Sequence, residues 1–187
     1  AKVKGLYVIV DPEATNGRPI LDVAHAALRG GTKVIQLRDK KNAKKFLLLA
    51  AHSLKALCDN YDALFIMNDH SDIAISGEAH GLHIGQDDIP ITEARRVLEY
   101  TQLIGRSNNS LEEAMESQSL GADYLAIGAI YPTTTMNKAD RQAVGPGIIE
   151  KLKSMADIPI VAIGGINLDN VGEIMKAGAD SVCMVSA

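Results

Sequence analysis

Short aliphatic runs alternate with amphipathic stretches along the whole chain, and this alternation restricts the fold more than any other feature of the sequence. The runs are rich in Val, Ile and Leu, a composition typical of parallel strands that are covered on both faces. The candidate strands are residues 6–10, 33–37, 64–67, 81–84, 102–105, 124–127, 158–163 and 181–185. Helical periodicity fills the segments between them, and residues 43–58 place Phe46, Ala50, Leu54 and Leu57 on one stripe. The pattern predicts an α/β protein with a parallel sheet.

The sequence also shows internal similarity. Residues 121–127 resemble residues 178–184, and residues 31–37 and 78–84 fit the same frame more loosely. Eight strands with such a repeat predict a single (β/α)8 TIM barrel over residues 1–187. The rival fold is a doubly wound open sheet, which usually carries a glycine fingerprint after its first strand; the corresponding segment here has none. The chain stops directly after the eighth strand, so we expect the barrel to lack its last helix.

Charge, hydrophobic runs and cysteine content argue against several functional classes. The chain of 187 residues has a formal net charge of −4, which disfavours sequence-independent binding to nucleic acid. No apolar run approaches the roughly 20 residues that cross a bilayer, and the first residues do not resemble a signal peptide. Cys58 and Cys183 provide neither a disulfide framework nor a metal-binding spacing, so the reducing cytoplasm is the expected compartment. Anionic ligands must therefore be held by locally placed cations and backbone N–H groups.

A polar segment after the second strand has the composition of an anion clamp. In a TIM barrel the reactive groups sit at the carboxyl ends of the strands. Strand alternation places Gln36, Arg38 and Lys40 on one side, which brings two cations and an amide together. The alternative interpretation is a solvated loop whose charges serve no ligand.

Acidic side chains follow the next two strands. Asp69 comes directly after the third strand, and Asp87 and Asp88 come after the fourth. Because adjacent strands end close together, Asp69 and one acid of the second pair can share a hard cation. Mg²⁺ is the natural candidate, since it takes a few carboxylates together with phosphate oxygens of a substrate. The alternative is that Asp69 and Asp88 only cap the helices that follow them.

The remaining strand ends offer a long loop and a second anion site. Ser107 follows the fifth strand, either as a donor to a phosphate oxygen or as part of a turn before the next helix. The polar loop 131–144, which contains Lys138, has the length of a functional lid or a disordered segment. Gly164 and Gly165 after the seventh strand are typical of a backbone phosphate site. Two anion sites predict an enzyme that joins or isomerises phosphorylated small molecules.

Together these motifs resemble those of the thiamine-phosphate synthase family in order and spacing, over nearly the whole chain. The resemblance is carried by residues 36–40, 68–69, 83–88, 105–107, 131–135, 162–166 and 185–186. Members of the family join hydroxymethylpyrimidine diphosphate to a thiazole phosphate, which releases diphosphate and forms thiamine monophosphate. The resemblance implies small-molecule substrates and Mg²⁺ as a cofactor, implies no nucleic-acid or membrane partner, and leaves homo-oligomer formation open.

The resemblance also implies a role for each matching residue. It assigns the pyrimidine diphosphate to Gln36, Arg38, Lys40 and Asn68, the pyrimidine substrate also to Ser107, Mg²⁺ to Asp69 and Asp88, and the thiazole phosphate to Thr133, Thr135, Gly165, Val185 and Ser186. The family's reaction is dissociative: the C–O bond to diphosphate breaks first, and the thiazole nitrogen captures the resulting cation. Because charge builds on the leaving diphosphate, the catalytic residues expected from the resemblance are Arg38, Lys40, Ser107 and Lys138.

Three positions depart from the family pattern. Met136 stands where the family usually has a Lys after its Thr-x-Thr. Either Lys138 substitutes for that Lys in the contact with diphosphate, which the slightly longer loop favours, or the contact is lost. Ala129 replaces a frequent Pro, and Asn109 replaces a His that a thiazole tautomerase-like paralogue uses. The alternatives to a synthase are a thiazole-phosphate-binding paralogue, regulatory or tautomerase-like, and a phosphate-binding barrel isomerase of another pathway. Asn109 and the acid pair favour the synthase.

Overall fold

The computed structural model describes residues 3–133 and 142–185, in which eight parallel strands close into a barrel. The strands are β1 (Gly5–Val10), β2 (Val34–Leu37), β3 (Leu64–Asn68), β4 (Gly81–Ile84), β5 (Leu103–Asn108), β6 (Tyr124–Ile127), β7 (Ile160–Ile163) and β8 (Ser181–Met184). The helices between them are α1 (Ile20–Arg29), α2 (Lys44–Asn60), α3 (Ser71–Ser76), α4 (Ile91–Val97), α5 (Leu111–Ser119), α6 (Gly147–Lys153) and α7 (Val171–Lys176). None of the helices in these two ranges is long and apolar enough to cross a membrane.

Strand order around the barrel follows the chain. Each strand pairs with the next one, and β8 closes the barrel by pairing with β1, where Gly5 lies opposite Ser181. The closed order confirms the predicted TIM barrel and excludes the rival open sheet, whose edge strands would stay unpaired. Within the described residues β8 is the last element.

Alternate positions of each strand point into the barrel, and the others pack against the helices. The inner cluster of buried residues contains Tyr7, Ile9, Val34, Leu64, Ile66, Tyr124, Ala126, Val161 and Cys183. A larger outer cluster joins the opposite faces of the strands to the helices. Because side chains alternate along a strand, the inward rows of Val34 and Ile66 continue at the carboxyl ends as Gln36 and Asn68. The fold therefore delivers polar side chains to one mouth of an aliphatic barrel.

The buried face of α2 differs from the predicted stripe. Leu47, Ala51, Leu54 and Cys58 are the buried residues of this helix, whereas Phe46 is 61% exposed. The helix begins with a continuous apolar run, so its sequence does not single out one face. Packing against the neighbouring strands makes that choice. Leu54 is buried, Ala50 and Leu57 are partly buried against the core, and the predicted stripe is wrong only at Phe46.

The fifth strand is longer than predicted. It was expected to end at Gly105, but β5 continues to Asn108. The added residues are polar because they reach the mouth of the barrel, and a polar strand end has the composition of a loop. Ser107 is thus a strand residue, and its interpretation as part of a turn is wrong. Ser110 caps α5, since its Oγ accepts the backbone N–H of Glu113 at 3.2 Å.

Candidate active site

A pocket of about 690 Å³ opens at the carboxyl ends of the strands. Every predicted site residue within the described ranges lines it: Gln36, Arg38, Lys40, Asn68, Asp69, Asp88, Ser107, Thr133, Gly165 and Val185. The other three, Thr135, Lys138 and Ser186, lie outside the described residues. The fold thus brings the cationic clamp, the acid pair and the glycine segment together in a single cavity.

Arg38 is held in place by Asp11, a residue that the sequence reasoning missed. Asp11 is only 3% exposed, and its Oδ2 pairs with Nη1 of Arg38. The other carboxylate oxygen accepts the backbone N–H of Glu13 at 2.9 Å. The backbone N–H of Arg38 donates to the carbonyl oxygen of Val10 at 3.0 Å, so β1 fixes both the backbone and the guanidinium of this residue. The sequence signal for Asp11 is an acidic residue directly after β1, the strand that neighbours β2 and the cations that follow it.

Lys40 sits on a hydrogen-bonded turn, and its side chain is half-exposed. Asp39 shapes the turn, because its Oδ1 accepts the backbone N–H groups of Lys41 and Asn42, each at 3.0 Å. The Nζ of Lys40 lies 3.3 Å from Oδ2 of Asp69, and the two side chains are 54% and 19% exposed. Ion pairs with one exposed partner are weak. Lys40 can therefore exchange Asp69 for an anionic ligand at little cost.

The carboxyl group of Asp69 lies where ionisation is unfavourable. Burial, and next the hydrogen bond and charge of Asp88, raise the pKa of Asp69 above its ordinary value, and Lys40 offsets part of that shift. The backbone of Asp69 has φ 61°, in the left-handed region that Asp tolerates better than most residues. Its N–H donates to the carbonyl oxygen of His83 at 2.9 Å, which ties the end of β3 to β4.

The two acids are not helix caps. The residues at the capping positions of α3 and α4 are His70 and Pro90, and neither helix has a side-chain cap. Asp88 instead accepts the backbone N–H of Gly85 at 2.6 Å, which folds the loop after β4 back toward the pocket. The capping alternative is therefore wrong for both acids.

Two facing carboxylates suit a hard cation but do not complete its coordination. Among residues 3–133 and 142–185, no group of three or more His, Cys, Asp and Glu side chains is placed to hold a metal ion. Mg²⁺ usually takes one or two carboxylates and fills its remaining positions with phosphate oxygens and water. A divalent ion would also relieve the repulsion that raises the pKa of Asp69. The donor set fits Mg²⁺ that is bound together with a phosphorylated ligand.

The opposite wall of the pocket is built from backbone and small side chains. Gly165 has φ 64°, and a Cβ at this position would lie 2.7 Å from the carbonyl oxygen of Pro132. Glycine is thus required for the loops after β6 and β7 to approach each other. Its own carbonyl oxygen accepts Nδ2 of Asn170 at 2.9 Å, which fixes the turn. Thr133 and Val185 line the same cavity. Thr133 contributes a hydroxyl to this wall, and neither Gly165 nor Val185 adds a charge to it.

A chain of polar groups runs beneath the pocket, inside the barrel. Nε2 of Gln36 donates to Oη of Tyr7 at 2.6 Å. The two tyrosine oxygens, of Tyr7 and Tyr124, lie 3.0 Å apart. Nδ1 of His83 lies 2.9 Å from Oη of Tyr124, and its Nε2 lies 2.9 Å from Oγ of Ser107. His83 is therefore a hydrogen-bonded histidine of the barrel interior. The sequence reasoning missed both tyrosines.

Comparisons with known proteins agree with this architecture. A family model described as thiamine monophosphate synthase matches residues 6–187. The thiamine-phosphate synthase of Methanospirillum hungatei JF-1 is 45% identical over 184 residues, which are 98% of this chain and 88% of that protein. That of Shouchella clausii KSM-K16 is 43% identical over 182 residues, with coverage of 97% and 86%. The solved structure of a thiamine phosphate pyrophosphorylase from Pyrococcus furiosus has a TM-score of 0.90 at 37% identity and covers 98% of this chain and 86% of its own.

Proposed function

The chain belongs to the thiamine monophosphate synthase family of transferases, and from this premise we propose that its pocket joins hydroxymethylpyrimidine diphosphate to a thiazole phosphate with the help of Mg²⁺. One observation carries the proposal: a cationic clamp, an acid pair and a glycine wall line a single cavity. A cavity of this kind suits two phosphorylated ligands that react with each other. The products are thiamine monophosphate and diphosphate.

In the proposed reaction the diphosphate leaves before the new bond forms. The C–O bond of the pyrimidine substrate breaks, and the diphosphate takes the bonding electron pair. Arg38 and Lys40 bind the diphosphate and neutralise the negative charge that grows on it. Bound Mg²⁺, held by Asp69 and Asp88, would supply further charge neutralisation at the phosphate oxygens. Arg38 suits this role because Asp11 fixes its guanidinium before any ligand arrives.

The second substrate has to be in place when the cation forms. We assign its phosphate to the wall around Gly165, with Thr133 and Val185, where backbone groups and a hydroxyl line the pocket. The thiazole nitrogen then donates its lone pair to the carbon that lost the diphosphate, and the C–N bond forms. No side chain has to act as a nucleophile or general base in this scheme. The protein contributes proximity and electrostatic stabilisation.

The direct test is turnover by the full-length protein. The protein is incubated with both phosphorylated substrates and Mg²⁺, and thiamine monophosphate and diphosphate are quantified. We expect both products in equal amounts, and none when either substrate is omitted. Absence of product from a folded sample would reject the proposal.

Calorimetry separates the synthase from a thiazole-phosphate-binding paralogue. A synthase binds the thiazole phosphate and also binds the pyrimidine diphosphate in the presence of Mg²⁺. The paralogue binds only the thiazole phosphate. Inorganic diphosphate with Mg²⁺ serves as a minimal probe of the clamp, and heat release from this probe in the wild-type protein counts against the paralogue.

A further inference from the structure

Five polar side chains at the floor of the pocket and beneath it form one hydrogen-bonded network: Gln36, Tyr7, Tyr124, His83 and Ser107. Tyr7 and Tyr124 are 1% and 0% exposed, deep in an otherwise aliphatic interior. Burial raises the pKa of both phenols, so each keeps its proton at neutral pH. Each tyrosine thus has one proton to donate and lone pairs to accept with.

Each hydrogen bond of this network can be given a direction by following which group donates a proton. The amide nitrogen of Gln36 can only donate, so Oη of Tyr7 accepts from it. Donation by Tyr7 to Oη of Tyr124 leaves the proton of Tyr124 for Nδ1 of His83, and this direction gives each phenol proton an acceptor within the network. A neutral imidazole that accepts at Nδ1 carries its proton at Nε2, so His83 donates to Oγ of Ser107. The proton of Ser107 must point away from His83.

We propose that Tyr7, Tyr124 and His83 are positioning residues that transmit this one-way order from Gln36 and present Ser107 to the pyrimidine substrate as a hydrogen-bond donor. The inference rests on the proposed function for the identity of that substrate. It adds a specificity rule to the pocket: an acceptor atom of the ligand faces Ser107.

Gln36, at the other end of the hydrogen-bonded network, shows a complementary preference for a hydrogen-bond donor of the ligand. Gln36 is 1% exposed, and its Oε1 is one of two buried side-chain polar atoms in the described residues that have no hydrogen-bond partner. An unsatisfied buried acceptor is costly, so this oxygen is suited to an N–H of the ligand. The pocket therefore selects a ring that offers a donor toward Gln36 and an acceptor toward Ser107. Reversing the amide would reverse every bond and both preferences.

The tautomer of His83 tests the direction in the ligand-free protein. The full-length protein is labelled with ¹⁵N-histidine, and the ring nitrogens are observed at one neutral pH, with His83→Gln to assign the signal. His80 is an internal reference, because its Nδ1 accepts the backbone N–H of Phe65 at 2.9 Å and must be unprotonated. We expect His83 to match His80, with the proton at Nε2. A proton at Nδ1 of His83 would overturn the proposal.

Tyr124→Phe tests the effect on the substrate, because it keeps the ring and removes the hydroxyl. We expect kcat/KM for the pyrimidine substrate to fall about 2- to 12-fold, the usual worth of one hydrogen bond. The matched control is Tyr61→Phe, which removes a tyrosine bonded at 2.8 Å to His25 on the surface. The control should leave kcat/KM unchanged. Tyr7→Phe removes the preceding hydroxyl of the hydrogen-bonded network, and it replaces Tyr124→Phe as the test if that variant does not fold.

A double-mutant cycle separates positioning from general packing. If Tyr124 acts through Ser107, adding Tyr124→Phe to Ser107→Ala should cost no further activity. Independent, multiplicative losses would assign Tyr124 a purely structural role and refute the proposal. The NMR measurement needs no substrate, so a wild-type protein without synthase activity would reject the proposed function while the direction of the chain is still decided.

Discussion

Replacing Gly105 by Ala should destabilise the barrel far more than a buried methyl group normally does. Gly105 lies on β5 directly beneath the ring of Tyr124. A Cβ at this position would overlap Cζ, Cε1 and Cε2 of Tyr124, where carbon atoms normally stay about 3.5–4.0 Å apart. The ring must therefore shift by more than about 1 Å to restore ordinary contact distances. Such a shift breaks the bonds of Tyr124 to Tyr7 and His83, at 3.0 and 2.9 Å.

The cost follows from these two effects. Overpacking a core costs about 1–3 kcal/mol, and each buried polar group left without its partner adds about 1–3 kcal/mol. We expect a loss of about 4 kcal/mol from a total stability of about 5–15 kcal/mol. For a chain of this length that corresponds to a fall in Tm of about 8–16 °C.

Urea denaturation of matched glycine variants measures this effect. Gly172→Ala is the control, because its Cβ would meet nothing within 4 Å and its φ is not in the left-handed region. The control should gain about 0.4–1 kcal/mol by restricting the unfolded chain. In a Tyr124→Leu background, which lacks the overlapping ring carbons, Gly105→Ala should cost little. A loss below about 1 kcal/mol for Gly105→Ala in the wild-type background would refute the reasoning.

Two further predictions concern the charged groups of the pocket. Asp69→Asn should stabilise the ligand-free protein at neutral pH and abolish the rise in Tm that we expect from Mg²⁺ with inorganic diphosphate. Because folding raises the pKa of Asp69, the ionised carboxylate destabilises the folded state above that raised pKa. The stability gained by Asp69→Asn should therefore vanish as the pH falls below the unfolded pKa of about 3.9. The control is Asp72→Asn, which removes an exposed ion pair with Lys44; this pair lowers the pKa of Asp72. The control should lose up to about 1 kcal/mol of stability at neutral pH and keep the rise in Tm with Mg²⁺ and diphosphate. An equal change in both variants would contradict the assignment of Asp69 to the metal site. Asp11→Asn removes the charged partner of Arg38 and should cost about 1.5–3 kcal/mol of stability in urea denaturation. It should also weaken calorimetric binding of inorganic diphosphate, because orientation of the guanidinium outweighs the lost negative charge; tighter binding would show the reverse.

The barrel was predictable from the sequence because its strands are short and aliphatic and are separated by amphipathic segments. Buried parallel strands cannot be polar, so their positions stand out. The exception is β5, whose last three residues, Arg106, Ser107 and Asn108, are polar and were assigned to a loop. Local composition cannot separate a polar strand end from a loop, and only the pairing of Ser107 with Ala126 on β6 decides between them.

The site was predictable where its residues lie just after a strand and carry a charge. Asp11 also lies directly after a strand and carries a charge, but it was missed; its partner, Arg38, follows the neighbouring strand β2. Tyr7 and Tyr124 lie lower in the barrel, where an aromatic residue has the appearance of core packing. Their hydroxyl groups meet across the barrel from opposite strands, a contact between residues 117 positions apart that no local pattern contains.

Each cation of the proposed diphosphate clamp is already paired with an acid in the structure. Arg38 is paired with Asp11, and Lys40 with Asp69, so the ligand-free pocket keeps little uncompensated positive charge. A diphosphate that arrives alone meets the carboxylates of Asp69 and Asp88, and a divalent ion that arrives alone has to compete with Lys40. Under the proposed function, the ion would take the carboxylates when both bind, and Lys40 would be released to the diphosphate. Each ligand should therefore strengthen the binding of the other by the same factor, since such coupling is reciprocal.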